Sequence, residues 1–219
     1  MAQNKPAGTS SDKQAQILAE ACRLFAARGF HGTSIRDIAK SAGMTNAGLY
    51  HHFIDKNDLF LRLVVDLLEK QCGFTEQRLR SAVTATEKLR AFMLAYGDFF
   101  EHNTLACIAS SRSFAFFEDC PQREEALRWR DRYEGILRDI IRQGIASGEF
   151  RPVDAAMAGR AVLSCLNWLQ HWYSPSGHTR PPEIVLTYAD MLLNGIAAAG
   201  NGESGRADAR KAQLSRARA

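Results

Sequence analysis

The stretch Ser34-Ile-Arg-Asp-Ile-Ala-Lys-Ser-Ala-Gly-Met-Thr-Asn-Ala-Gly-Leu-Tyr-His-His-Phe53 decides how the rest of the chain is understood. Ser34 and Asp37 stand at capping-box spacing, which opens a short helix with Ile35, Ile38 and Ala39 turned inward. Gly43 permits a tight turn. Thr45 is placed to cap a second short helix that buries Leu49 and Phe53. Two short helices joined by such a turn form a helix-turn-helix pattern. Its second helix would enter the DNA major groove, where base edges can be distinguished, presenting Thr45, Asn46, Ala47, Tyr50 and His51. Ala47 and Gly48 are small enough for close approach. The N–H groups at the helix start and Lys56 beyond it offer phosphate contacts. The plainer alternative, a helical hairpin inside a bundle, does not suit Tyr50-His51-His52 on an exposed short helix.

Outward from this stretch, everything periodic repeats at helical spacing. Ile17, Ala21 and Phe25, flanked by Leu18 and Cys22, make one apolar face that Gly29 ends. Asp55-x-x-Asp58 caps a helix running through Leu59, Leu63, Val64, Leu67 and Leu68. Further helices are predicted at about 75–82, 86–102, 104–118, 121–147, 153–173 and 182–199. No segment alternates like a strand, so the fold class is all-α. Residues 200–219 are polar and rich in Gly, Ala and Arg, which predicts a disordered tail.

The 219 residues carry a net charge of +4, and the surplus is at the ends. Residues 1–60 hold seven Lys/Arg against five Asp/Glu, and residues 200–219 hold five against two. The five cysteines, Cys22, Cys72, Cys107, Cys120 and Cys165, are scattered without a CxxC pair, as expected of reduced thiols. No apolar run is long enough to span a membrane and no signal segment is visible, so a cytoplasmic location without membrane contact is expected. The six histidines form no HExxH or i, i+4 pair. No GxSxG or phosphate loop appears, so neither metal nor cofactor is implied and the chain is not expected to be an enzyme. A helical enzyme without a recognisable motif, and a DNA-binding regulator answering to redox or a protein partner, remain the competing readings.

Phe25-Ala-Ala-Arg-Gly-Phe30, Thr33-Ser-Ile-Arg-Asp-Ile-Ala39, Ala42-Gly43, Gly48-Leu-Tyr-His-His-Phe53 and Lys56-Asn-Asp-Leu59 together resemble the TetR family of bacterial transcriptional regulators. The resemblance implies a DNA-binding domain over residues 12–56 after a flexible N-terminus (1–11). A ligand-binding and dimerisation domain over 57–199 and the tail over 200–219 would follow. It implies a homodimer on a palindromic operator, repression as the default, and release by a small effector. Tyr50 matches the position that contacts a phosphate or thymine methyl. Thr45, Asn46, Ala47 and His51 match other groove-facing positions. Thr33, Ser34 and Arg36 match the start of the supporting helix, and Lys56 matches a phosphate-holding lysine.

The C-terminal part is rich in aromatics, most of them core by ordinary expectation. If some line an apolar cavity with a few polar groups, the candidates are Phe99, Phe116, Trp168 and Trp172 with Asn103, Arg112, Tyr133 and Asn167. Arg130-Asp-Arg-Tyr-Glu134, Gly144-Ile-Ala-Ser-Gly-Glu-Phe150, Asn167-Trp168 and Trp172-Tyr173 resemble a TetR subgroup that senses acyl-CoA thioesters. The resemblance therefore implies an acyl-CoA or other hydrophobic acid derivative as effector. Arg112, Arg123, Arg128, Arg130 and Arg132 could supply a basic mouth, although arginines on a long helix are more often a solvated face. The small residues Ala155, Ala156, Ala158, Gly159, Ala161, Gly195 and Ala197 suggest the dimer seam on the last two helices. His171 and His178 take no role in this reading.

Overall fold

The computed structural model describes residues 10–111 and 121–194, and among these the regular structure is helical throughout. The helices are α1 (Ser10–Arg28), α2 (Ile35–Ser41), α3 (Asn46–Tyr50), α4 (Lys56–Leu79), α5 (Ala85–His102), α6 (Thr104–Ser111), α7 (Pro121–Ala146), α8 (Ala155–Trp172) and α9 (Pro181–Asn194). The expected flexible N-terminus, save its last two residues, and the expected tail fall outside the described residues. So do Arg112, Phe116, Cys120, Gly195 and Ala197.

The predicted stops and starts are where the caps put them. Gly29 and Gly43 adopt φ of 71° and 68°, the left-handed conformation that a side chain resists. The Ser34 and Asp37 side chains form the reciprocal capping box, and Thr45 Oγ1 accepts from Gly48 N–H at 3.1 Å. Asp55 caps α4 by accepting from Asp58 N–H at 2.7 Å. One prediction is corrected: no separate helix begins near residue 75, because α4 continues unbroken to Leu79. Gly73 costs the helix roughly 1 kcal/mol, but the burial of Cys72 and Thr75 on either side holds it in register.

Two cores divide the molecule. The first gathers Phe25, Phe30, Ile38, Leu49, Phe53 and Phe60 from α1 to the start of α4, together with Ala109 of α6 and Ala126 of α7. Phe60 meets Phe25 and Phe30 edge to face, at centroid distances of 5.4 and 5.3 Å. The second is the helical body of α4, α5, α7, α8 and α9, centred on Phe92, Met93, Phe100, Leu137 and Leu166. Because α4 runs through both cores, it fixes how the small N-terminal unit sits on the body.

Candidate nucleic-acid interface and effector cavity

A network of side chains holds α2 against α1. Arg23 donates to Ser41 Oγ at 2.8 Å, and Ser41 Oγ donates to Glu20 at 2.5 Å. The Ser41 hydrogen bond, joined by direct donation from Arg23 to the same carboxylate at 3.1 Å, keeps the Glu20 carboxyl below its usual pKa. Leu49 and Phe53 anchor α3 from beneath. With α3 clamped in this way, Thr45, Asn46, Ala47, Tyr50 and His51 all lie on its exposed side, and Arg36 is exposed on α2. A short, buttressed helix with one free polar face can insert into a groove without rearranging.

Three of the residues expected at the interface are engaged within the protein. Thr33 is 1% exposed, and its hydroxyl donates inward to the carbonyls of Gly29 (2.9 Å) and Leu24 (3.3 Å), so it locks the α1–α2 turn and presents no side chain to DNA. Ser34 is exposed, but its hydroxyl is engaged with Asp37 in the cap. Lys56 folds back over the Phe30 ring at 4.2 Å and donates to the carbonyls of Phe30 (2.9 Å) and Thr33 (3.0 Å). Partial desolvation there lowers its pKa. Two of its three N–H donors thus tie α4 to the turn ahead of the helix-turn-helix.

In the body, a cavity of about 380 Å³ opens between α4, α6, α7 and α8. Val64, Leu67, Leu68 and Leu127 make its apolar lining, while Gln71, Ser110, Arg123, Arg130, Asn167 and Gln170 supply polar groups. Tyr96 and Cys107 also reach it. Of the predicted ligand residues among the described ones, only Asn167 lines this cavity. Asn103 lines a second hollow of about 470 Å³ among α1, α4 and α6, and its amide is bonded to Phe99 O at 2.9 Å. Phe99 and Tyr133 are buried in the core instead, Tyr133 against Phe92 at 4.8 Å. Trp168 and Trp172 are 64% and 49% exposed on the outer face of α8, where Trp168 stacks on His171. Their large apolar rings suit a cavity lining by composition, but the helical phase turns them outward.

The residues missed were Gln71, Tyr96, Cys107, Ser110 and Gln170. Their signal was faint, consisting of i, i+3 and i, i+4 spacings such as Leu67–Gln71 and Asn167–Gln170 that any amphipathic helix shows. The expected small-residue seam on α8 is also split. Gly159 faces Leu137 and Ile141 of α7, and Ala155 and Ala158 pack on the body core, while Ala161 is exposed. Burial pushes the thiols of Cys22 and Cys72 up to about 11 and that of Cys107 to about 12, leaving little thiolate for redox chemistry at neutral pH. Among the described residues no cluster of His, Cys, Asp and Glu could hold a metal ion, and no helix is long and apolar enough to cross a membrane.

A capped, buttressed helix-turn-helix on a helical body with a polar-lined cavity defines a DNA-binding regulator. Residues 17–63 match the family described as bacterial regulatory proteins, tetR family, and residues 82–196 match the tetracyclin repressor-like C-terminal domain. The chain belongs to the TetR family of transcriptional regulators and is not an enzyme. It is 29% identical over 198 residues to the HTH-type transcriptional repressor KstR2 of Mycolicibacterium smegmatis, covering 90% of this chain and 96% of that one. Among solved structures, the TetR family regulator PfmR of Thermus thermophilus superposes with a TM-score of 0.78 at 37% identity, covering 83% of this chain and 99% of PfmR. AibR, solved with isovaleryl coenzyme A and operator DNA, superposes with a TM-score of 0.76 at 26% identity, covering 83% of this chain and 98% of AibR.

Proposed function

We propose that this protein is a homodimeric repressor that binds a palindromic operator and is released when an acyl-CoA thioester enters the body cavity. The observation that carries the effector class is the cavity itself, which joins an apolar lining to Arg123 and Arg130. About 380 Å³ suits an acyl group, leaving the phosphates of coenzyme A for the arginine-bearing side. The likeness to AibR, solved with isovaleryl coenzyme A, supports the same class. Repression is supported by the likeness to KstR2.

Residues 12–56 would carry the DNA contacts, through Arg36, Thr45, Asn46, Ala47, Tyr50 and His51, and residues 57–199 the effector and the partner subunit. For the dimer, the outer face of α8 and α9 is favoured: Met157, Trp168, Trp172, Met191 and Leu192 are all at least 39% exposed. An exposed apolar surface of this kind on a folded domain marks an interface, and a two-fold dimer demands a two-fold operator.

The deciding experiment measures anisotropy with an operator selected from random DNA, titrated with isovaleryl coenzyme A, a long-chain acyl-CoA and free coenzyme A. Acyl-CoA should weaken operator binding and free coenzyme A should not. Equal operator affinity with and without every thioester would overturn the effector class. Tyr50→Ala should weaken operator binding while leaving the melting temperature unchanged; undiminished affinity would reassign the groove-facing helix.

A further inference from the structure

We propose that the first two turns of α7 carry the state of the effector cavity to the recognition helix, with Gln122 and Asp58 as the positioning residues of that linkage. The inference rests on the effector reading above for what fills the cavity, but the linkage itself is a matter of this chain's own contacts.

Two faces of α7 do different work within nine residues. Arg123, Leu127 and Arg130, spaced i, i+4 and i+7, line the cavity. About 100° around the helix, Gln122 and Ala126 face the N-terminal unit. Ala126 is wholly buried in the phenylalanine core of that unit, although it belongs by sequence to the body. Gln122 Nε2 donates to Asp58 Oδ1 at 3.2 Å. An ionised carboxylate only accepts hydrogen bonds, so the amide nitrogen must be the atom turned towards it.

Asp58 is the junction. It is 5% exposed at the head of α4. Its Oδ1 also accepts from Arg62 Nε at 2.8 Å, and its Oδ2 accepts from the Ile54 N–H at 3.0 Å. Ile54 lies four residues beyond the end of α3, so one buried carboxylate holds the chain leaving the recognition helix and the first turn of α7 together. A helical turn is stiff on this scale. A ligand that shifts the α7 backbone at Leu127 or Arg123 carries Gln122 and Ala126 with it. A buried carboxylate that loses a donor is strongly disfavoured. Asp58 therefore either follows Gln122 and draws on Ile54, or loses its contact with the body. Either response alters how α3 is presented to DNA. This supplies the differential contact between two states that allosteric coupling requires.

The test uses the full chain, the selected operator, and isovaleryl coenzyme A and a long-chain acyl-CoA as probes. In Gln122→Ala, probe affinity should match the wild type, while the lost donor to Asp58 should lower the melting temperature and shift probe-free operator affinity towards that of the probe-bound wild type. The factor by which saturating probe weakens operator binding, expected within about 5–150-fold in the wild type, should fall towards one. An undiminished factor overturns the linkage. Gln122→Glu needs no probe. A second carboxylate against Asp58 should weaken operator binding about tenfold and accelerate amide hydrogen exchange at Ile54, with exchange in α8 unchanged. Wild-type operator affinity and Ile54 exchange in this variant overturn the linkage by themselves. Failure of both thioesters to bind the wild type would overturn the effector reading and leave the Gln122→Glu result to decide the linkage.

Discussion

Around Phe25, Phe30 and Phe60, the buried polar residues Thr33 and Asp58 are fully engaged in hydrogen bonds. Around Tyr133 in the body, by contrast, the hydroxyls of Tyr133 and Thr75 are buried and neither completes a hydrogen bond, although Gln71 and Thr75 lie beside the phenol. Burial pushes the Tyr133 pKa well up. The first region is specified to one arrangement, as a unit that must fit a groove should be. The second keeps unsatisfied polar atoms beside Gln71, which itself lines the cavity, and is the part with something to gain from a rearrangement. The contrast is between an N-terminal unit whose buried polar groups are bonded and a body that keeps buried hydroxyls beside its cavity.

The hardest blow to that division is Phe60→Ala. It empties the meeting point of three phenylalanines, which should cost about 3–5 kcal/mol. Thermal denaturation should show the N-terminal unit melting early, with the body transition little changed. A single transition lowered as a whole would mean that the two cores behave as one.

Next in size is Trp168→Glu. It places a charge in the exposed stripe of α8 and should convert dimer to monomer in analytical ultracentrifugation, because an unpaired charge at an apolar interface costs several kcal/mol. The monomer should still fold, since Trp168 lies outside the body core. A dimer that survives would move the interface elsewhere.

The N-terminal unit was legible in the sequence because its caps and glycines act over three or four residues. Ser34, Asp37, Thr45, Asp55, Gly29 and Gly43 each specify the local backbone almost alone. The inward contacts of Thr33 and Lys56 were not legible, since whether a threonine or lysine faces water or a carbonyl depends on where α4 crosses the α1–α2 turn. The cavity was less legible still. It draws on four helices, and a shift of one helical position separates cavity-lining Asn167 from outward-facing Trp168. The α8 small residues suggested a dimer seam, but nothing in a single sequence tells whether the neighbour of Gly159 is α7, as here, or a second subunit.

Lys56→Met sharpens the comparison from the DNA side. Removing two charge-assisted hydrogen bonds should destabilise the N-terminal unit by roughly 1–3 kcal/mol, visible as a lowered melting temperature. A lysine that mainly held phosphate would instead leave stability alone and reduce the salt dependence of operator binding by about one counterion. The geometry of the Nζ favours the first outcome, and a wild-type melting temperature with a shallower salt slope would overturn it.

The smallest effect concerns the far end of the body. There Glu149, beyond the end of α7, accepts from the N–H groups of Ala85 (3.0 Å) and Thr86 (2.9 Å) at the start of α5. Those backbone bonds hold its pKa down from 4.5 to about 2. A carboxyl whose folded pKa is depressed contributes stability that is fully present above its unfolded value and is lost as pH falls through the folded one. The contribution of Glu149 should therefore be complete above about pH 4.5 and fade between there and about pH 2. Glu149→Gln keeps a carbonyl acceptor but removes the charge. It should lower the body's stability modestly at neutral pH and flatten the acid limb of a stability–pH curve, with operator affinity unchanged. Two further depressed carboxyls, Asp37 and Glu20, sit in the N-terminal unit. Their acid sensitivity should persist in the variant, so following the two units with separate probes turns one pH titration into a test of whether each is held by its own charges.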